Sequence, residues 1–253
     1  GLFKKIIFAD TMAIYASAAF AAAENGVILT IYEAWLGSLA YTMQLYFDFS
    51  GYSDMALGLA IMFGFKLPVN FFSPYKATNI ADFWRRWHIT LSRMIREYLW
   101  DPISLAMTRL AVRSRYGVIR FFIVTSVAPT LFTFFWIGLW HGAGWNFIVF
   151  GMLHGSYITT YNLWSQLKQK YKYLKIITNK AIANILARFI TFISVVIGWI
   201  FFRAESFSSA TSILSSMFGL NKISIPQSAI SFSGISREWL INNGFIIEGL
   251  FSN

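Results

Sequence analysis

No Asp, Glu, Lys or Arg occurs between Arg120 and Lys168, and this stretch of 47 uncharged residues limits what the chain can fold into. One membrane-crossing helix needs about 20 apolar residues, so the stretch has room for two spans and a tight turn. The break falls at His141-Gly142-Ala143-Gly144, where two closely spaced glycines weaken a helix. Spans are expected over 118–140 and 145–167. Both flanks are basic, with Arg109, Arg113, Arg115 and Arg120 before and Lys168, Lys170, Lys172, Lys175 and Lys180 after. A two-span hairpin returns its flanks to one side. The bias of Lys and Arg toward cytoplasmic loops makes that side the cytoplasm. The turn at His141 then points to the far side or into the membrane.

Composition agrees. The chain is 57% hydrophobic and 13% charged, where a soluble domain carries about 25% charged residues. A net charge of +10 would suit nucleic acid, but the basic residues fall between long apolar stretches, so no nucleic-acid partner is expected. Membrane lipids are. Cysteine is absent, which excludes disulfides, thiolate metal ligands and a thiol nucleophile. The opening Gly1-Leu2-Phe3-Lys4-Lys5 has neither a Met nor a signal-peptide pattern and reads as the start of a fragment or trimmed chain.

Further spans are expected over 27–47, 52–65 and 181–202, with residues 1–24 as another helix. An irregular patch is expected at Asp48–Ser53, and an extended loop from Lys66 to Tyr75 around Pro68 and Pro74. Residues 79–100 differ in character. After Asn79, an N-cap with Asp82 three residues on, the residues Ile80, Phe83, Trp84, Trp87, Leu91, Met94, Ile95 and Tyr98 follow helical spacing. They fill one stripe about 120° wide, with Arg85, Arg86, Arg93 and Arg96 opposite. This predicts an amphipathic helix lying in the membrane interface, with His88 at the edge of its apolar stripe.

Ionisable groups at membrane depth are costly and mark function by default, so the candidates are few. His141 interrupts the uncharged stretch and is suited to taking a proton from a hydroxyl near neutral pH. The alternative is a histidine that hydrogen-bonds a carbonyl at a broken helix. His154 would point about 140° away on one continuous helix and reads as a structural histidine between packed helices. No histidine pair has the i, i+4 spacing of helical zinc ligands, and no metal is expected. Asp48 and Asp54 flank Ser50 and Gly51 and either line a polar cavity or pair with an arginine while a serine caps the next helix. The four arginines can bind the phosphates of a coenzyme A donor or anionic lipid.

The runs YFDFSGYSDMALGLAIMFGF, NFFSPYKATNIADFWRRWHITLSR and GLWHGAGWNFIVFGMLHG resemble the membrane-bound O-acyltransferase family, closest to the alginate O-acetylation branch. The D-alanyl transfer proteins of teichoic acid are more distant. GLFKKIIFAD and WIFFRAESFSSA extend the similarity from Gly1 to about Leu220. The resemblance implies an all-α, polytopic transmembrane protein of the bacterial inner membrane, with an interfacial helix and re-entrant or broken helices around a tunnel. It implies a catalytic role for His141 in the WHG motif and importance for His88, with His154 matching a further histidine of the branch. It also implies an acyl-CoA or acyl-carrier thioester as donor and no bound cofactor. The implied partners are an extracytoplasmic acyltransferase and a polysaccharide acceptor. Two departures stand out. Family members are longer, with N-terminal spans missing here, and Tyr98–Leu105 differs from the family's usual YLYIPLGG. A proton-coupled transporter or flippase of an envelope precursor, and a non-catalytic scaffold, are the competing readings.

Overall fold

The structure is a computed structural model that describes residues 1–171, 180–220, 223–224, 236–242, 245–246 and Leu250. It is almost wholly helical. Three helices are long and apolar enough to cross a membrane: Lys4–Glu24, Val118–His141 and Ala181–Arg203. A two-residue parallel pairing, Ile223–Ser224 with Phe245–Ile246, is the only strand structure among the described residues. The expected basic loop after the hairpin lies partly outside those residues, since Lys172 and Lys175 are not among them. The chain divides into two compact units, one of Gly1–Met55 and Trp199–Asn253, the other of Ala56–Gly198.

In the first unit a π-helical segment, Lys4–Ala9, runs into α1, Asp10–Glu24, and is followed by α2, Ile31–Met62, as far as its Met55. Thr30 and Glu33 begin α2 as a reciprocal cap: the Glu33 carboxylate accepts from the Thr30 N–H and hydroxyl, both at 2.8 Å. The irregular patch expected at Asp48–Ser53 is absent, because α2 continues through it without a break. Ser50, Gly51 and Ser53 are instead buried, and a side chain at Gly51 would meet the Gly1 carbonyl oxygen at 3.0 Å and the Lys4 Cβ at 3.2 Å. Their small size admits a neighbouring helix. Gly37 does the same further up, against Ala19. Asp48 and Asp54 pair with lysines and not arginines: Lys5 bridges Asp48 and Asp10, each at 2.9 Å, and Lys4 bonds Asp54 at 2.8 Å.

In the second unit α3, Ile80–Arg86, and α4, Ile89–Ile95, replace the single amphipathic helix expected over 79–100. The N-cap expectation holds, with the Asn79 side chain accepting from the Asp82 N–H at 2.8 Å. The break is at His88, which sits in the left-handed region at φ 44°. Beyond it the apolar stripe loses its partner: Ile80, Phe83 and Trp87 are buried, whereas Met94 and Tyr98 are exposed. The segment Tyr98–Leu105, which departs from the family's usual pattern, is helical throughout. A π-helical turn, Arg96–Trp100, leads into α5, Asp101–Arg113. Trp100 anchors that segment by donating to the Thr130 hydroxyl at 3.2 Å.

The uncharged stretch forms a helical hairpin that turns at 142–144; of its two arms, the first, Val118–His141, is among the helices long and apolar enough to cross a membrane. Its first arm is α6, Val118–Phe122, a π-helical segment Ile123–Val127, and α7, Ala128–His141; its second is α8, Trp145–Lys170. The arms touch through backbone. A side chain at Gly151 would collide with the Phe134 carbonyl oxygen, one at Gly138 with that of Phe147, and one at Gly155 would meet Phe134 Cβ at 3.0 Å. Gly151 and Gly155 are four apart on one face, the small-residue spacing that lets membrane helices approach closely. α9, Lys180–Arg203, follows.

Candidate functional site

All three histidines lie in the second unit, and each is placed by a different local device. His141 ends α7, where the chain leaves the helix at Gly142 in extended backbone. A side chain at Gly142 would come within 2.5 Å of the Phe147 ring, so the turn is packed closely against that ring. Trp140 and Trp145, on either side of the turn, are exposed, as suits indole rings at a membrane surface. The His141 ring contacts those of Trp140 and Phe150, with centroids 4.9 Å and 6.0 Å apart.

His88 occupies the corner between α3 and α4. Its Nδ1 lies 3.1 Å from the Asn70 side-chain oxygen, and its ring stacks on Phe71 at 6.4 Å. Burial lowers the His88 imidazole below its ordinary value, which favours the neutral ring. His88 and His141 are near enough for a charge on one to be felt at the other. The two histidines singled out as catalytic, far apart in sequence, both stand at helix breaks of this one compact unit.

His154 is fully buried on α8. Its Nδ1 accepts from the Trp84 indole N–H at 3.3 Å, and its ring packs against Phe83, Phe150 and Tyr157. Gly198 of α9 presses on its Nε2, where no side chain would fit. Phe150 touches both His141 and His154, at 6.0 Å and 4.8 Å. The broken helix brings the two histidines into contact with one ring, which a continuous helix would not do.

The four arginines are spread over three helical elements. Arg85 and Arg86 lie on α3 and share Asp82, at 3.5 Å and 2.9 Å, and Arg86 also reaches the Phe72 carbonyl at 3.4 Å. Arg93 belongs to α4, and Arg96, in the π-helical turn, pairs with Asp101 at 3.6 Å. Asp48 and Asp54 belong to the other unit, held by Lys5 and Lys4. Among the described residues no three His, Asp or Glu side chains converge as a metal site requires. Sequence reasoning missed Asn70, Trp84 as a hydrogen-bond donor, and Gly198. All three act across long sequence separations that helical periodicity does not report.

The model of the membrane-bound O-acyltransferase family matches residues 1–203. The chain is 43% identical over 225 residues to the peptidoglycan O-acetyltransferase of Helicobacter pylori, covering 89% of this chain and 38% of that protein. It is 41% identical over 218 residues to the probable alginate O-acetylase of Pseudomonas aeruginosa, covering 86% and 37%. The teichoic acid D-alanyltransferase of Bacillus subtilis is 35% identical over 170 residues, covering 66% and 40%. The chain thus spans about two fifths of the length of these relatives.

Proposed function

Since the chain belongs to the membrane-bound O-acyltransferase family, we propose that it moves an acyl group, acetyl in the first instance, from a cytoplasmic thioester to hydroxyls of an extracytoplasmic polysaccharide. The observation that carries this reading is the placing of His141 and His88 at two helix breaks of one compact unit. Relatives named for O-acetylation of peptidoglycan and alginate, and for D-alanyl transfer to teichoic acid, support an envelope polymer as acceptor. In this reading the protein works in the bacterial cytoplasmic membrane as a multi-pass protein. An extracytoplasmic acyltransferase completes delivery where the polymer is not reached directly.

In the proposed step neutral His141 takes the proton of a hydroxyl as its oxygen attacks the thioester carbonyl carbon. The new C–O bond forms, the C–S bond breaks, and the departing thiolate recovers the proton from the imidazolium. His88 orients the donor or stabilises the developing oxyanion. The arginines of α3 and α4 meet the donor's phosphates. No bound cofactor is needed for this chemistry.

Membrane vesicles of defined orientation test the sidedness. Labelled acetyl thioester supplied to the cytoplasmic face should transfer label to polymer or hydroxyl acceptor on the other face. Transfer only when the thioester is supplied to the outer face would contradict the proposal.

A further inference from the structure

Asn70 lies in the segment before α3, at the start of the run that leads to His88. Its side-chain oxygen collects three donors from the corner between α3 and α4. These are the Thr90 N–H at 3.2 Å, the Thr90 hydroxyl at 3.0 Å and His88 Nδ1 at 3.1 Å. Its main-chain carbonyl accepts from the Ile89 N–H at 3.0 Å, and the Phe72 N–H donates to the Arg86 carbonyl at 2.9 Å. Residues 70–72 therefore strap both helix ends beside His88. A non-glycine residue in the left-handed region persists when its surroundings over-determine it, and these bonds do so at His88.

The chemistry of the contact fixes where the proton is. A backbone N–H can only donate, so the Asn70 atom facing Thr90 is the amide oxygen. An amide oxygen can only accept, so the hydrogen shared with His88 belongs to Nδ1. A neutral imidazole carries one N–H, and its other nitrogen holds a lone pair.

We propose that Asn70 is a positioning residue that holds His88 with its proton on Nδ1 and its lone pair on Nε2, so that the ring meets the substrates as an acceptor. This rests on the reading of His88 as part of the acyl-transfer site. It decides between the two roles given to His88 above. A neutral ring in this tautomer offers no hydrogen at Nε2 and does not stabilise an oxyanion there. It takes a hydrogen bond or a proton from a substrate hydroxyl or amide, and so orients that group. Asn70, Thr90 and Phe71, whose contacts with the corner are described above, are neutral, and burial is what lowers the His88 imidazole.

The test measures transfer against pH in membranes containing the full protein, with Asn70→Ala, Asn70→Asp and His88→Ala. Asn70→Ala should lower kcat about tenfold, the effect of losing one orienting hydrogen bond. Asn70→Asp restores an acceptor and should recover most of kcat at alkaline pH. Its acid limb should move up by about one pH unit, because a carboxylate favours the charged imidazole. A merely structural Asn70 would leave the acid limb where the wild type has it, and that result overturns the proposal even if Asn70→Ala fails to accumulate. Wild-type transfer in Asn70→Ala alongside loss in His88→Ala also overturns it. Full transfer in His88→Ala would instead remove the reading of His88 itself.

Discussion

Trp84 donates its indole N–H to Nδ1 of His154 across 3.3 Å, joining α3 to the second arm of the hairpin. The bond assigns the remaining hydrogen of a neutral His154 to Nε2, the atom that Gly198 approaches. His154 is thus the packing centre of the unit, held by an indole on one side and by a bare backbone on the other.

Replacing Trp84 by Phe keeps an aromatic ring but removes the donor. A buried acceptor that loses its partner costs about 1–3 kcal/mol. The thermal midpoint of detergent-purified Trp84→Phe should fall accordingly, and an unchanged midpoint would show that this bond does not hold the unit together.

Close approach of α7 and α8 through glycine makes a second prediction. Gly151→Ala places a methyl group against the Phe134 carbonyl oxygen, which is backbone and cannot step aside. Overpacking of this kind costs about 1–3 kcal/mol and should splay the His141 turn, lowering transfer as well as stability. Gly58→Ala is the control: nothing lies within 4 Å of its position on α2, so that variant should be neutral or slightly stabilised.

The hairpin, its turn and the Asn79 cap were legible because they rest on local signals: absence of charge, paired glycines, an Asn three residues before an Asp. The break at His88 was not. The apolar spacing runs through it from Ile80 to Tyr98 without a change of phase, and the residue that stabilises the corner, Asn70, is 18 positions away. Ser50 and Gly51 misled in the opposite direction. Small residues suit a helix break and a close helix contact equally, and only the position of Gly1 and Lys4 shows that the second holds. The two catalytic candidates are legible as residue types, but the helix corner at His88 is not, since it depends on bonds to a distant segment.

His88 sets a pH dependence of stability. Its folded value lies below the ordinary 6.5, so between the two the unfolded chain binds more protons and stability rises with pH. The contribution is present above about pH 6.5 and is lost as pH falls through the folded value. His88→Asn preserves the left-handed corner, because asparagine tolerates that conformation, but it cannot titrate. Its thermal midpoint should therefore fall less than that of the wild type between pH 7.5 and pH 5. Parallel curves for the two proteins would refute the assignment.

Asp48 and Asp54 are engaged by Lys5 and Lys4 with both partners partly exposed. Such pairs contribute about 0–1 kcal/mol. Asp48→Asn and Asp54→Asn should each leave transfer within about twofold of the wild type at matched expression. A loss of tenfold or more would place that carboxylate in the transfer pathway.

The central claim is acyl transfer at the turn that ends α7. It is tested most directly by the O-acyl content of the envelope polysaccharide in cells carrying the full protein, wild type against His141→Ala, at equal membrane insertion. The account predicts that acylation falls to the level of cells lacking the protein. Unchanged acylation in His141→Ala would contradict it and favour a transport or scaffold role.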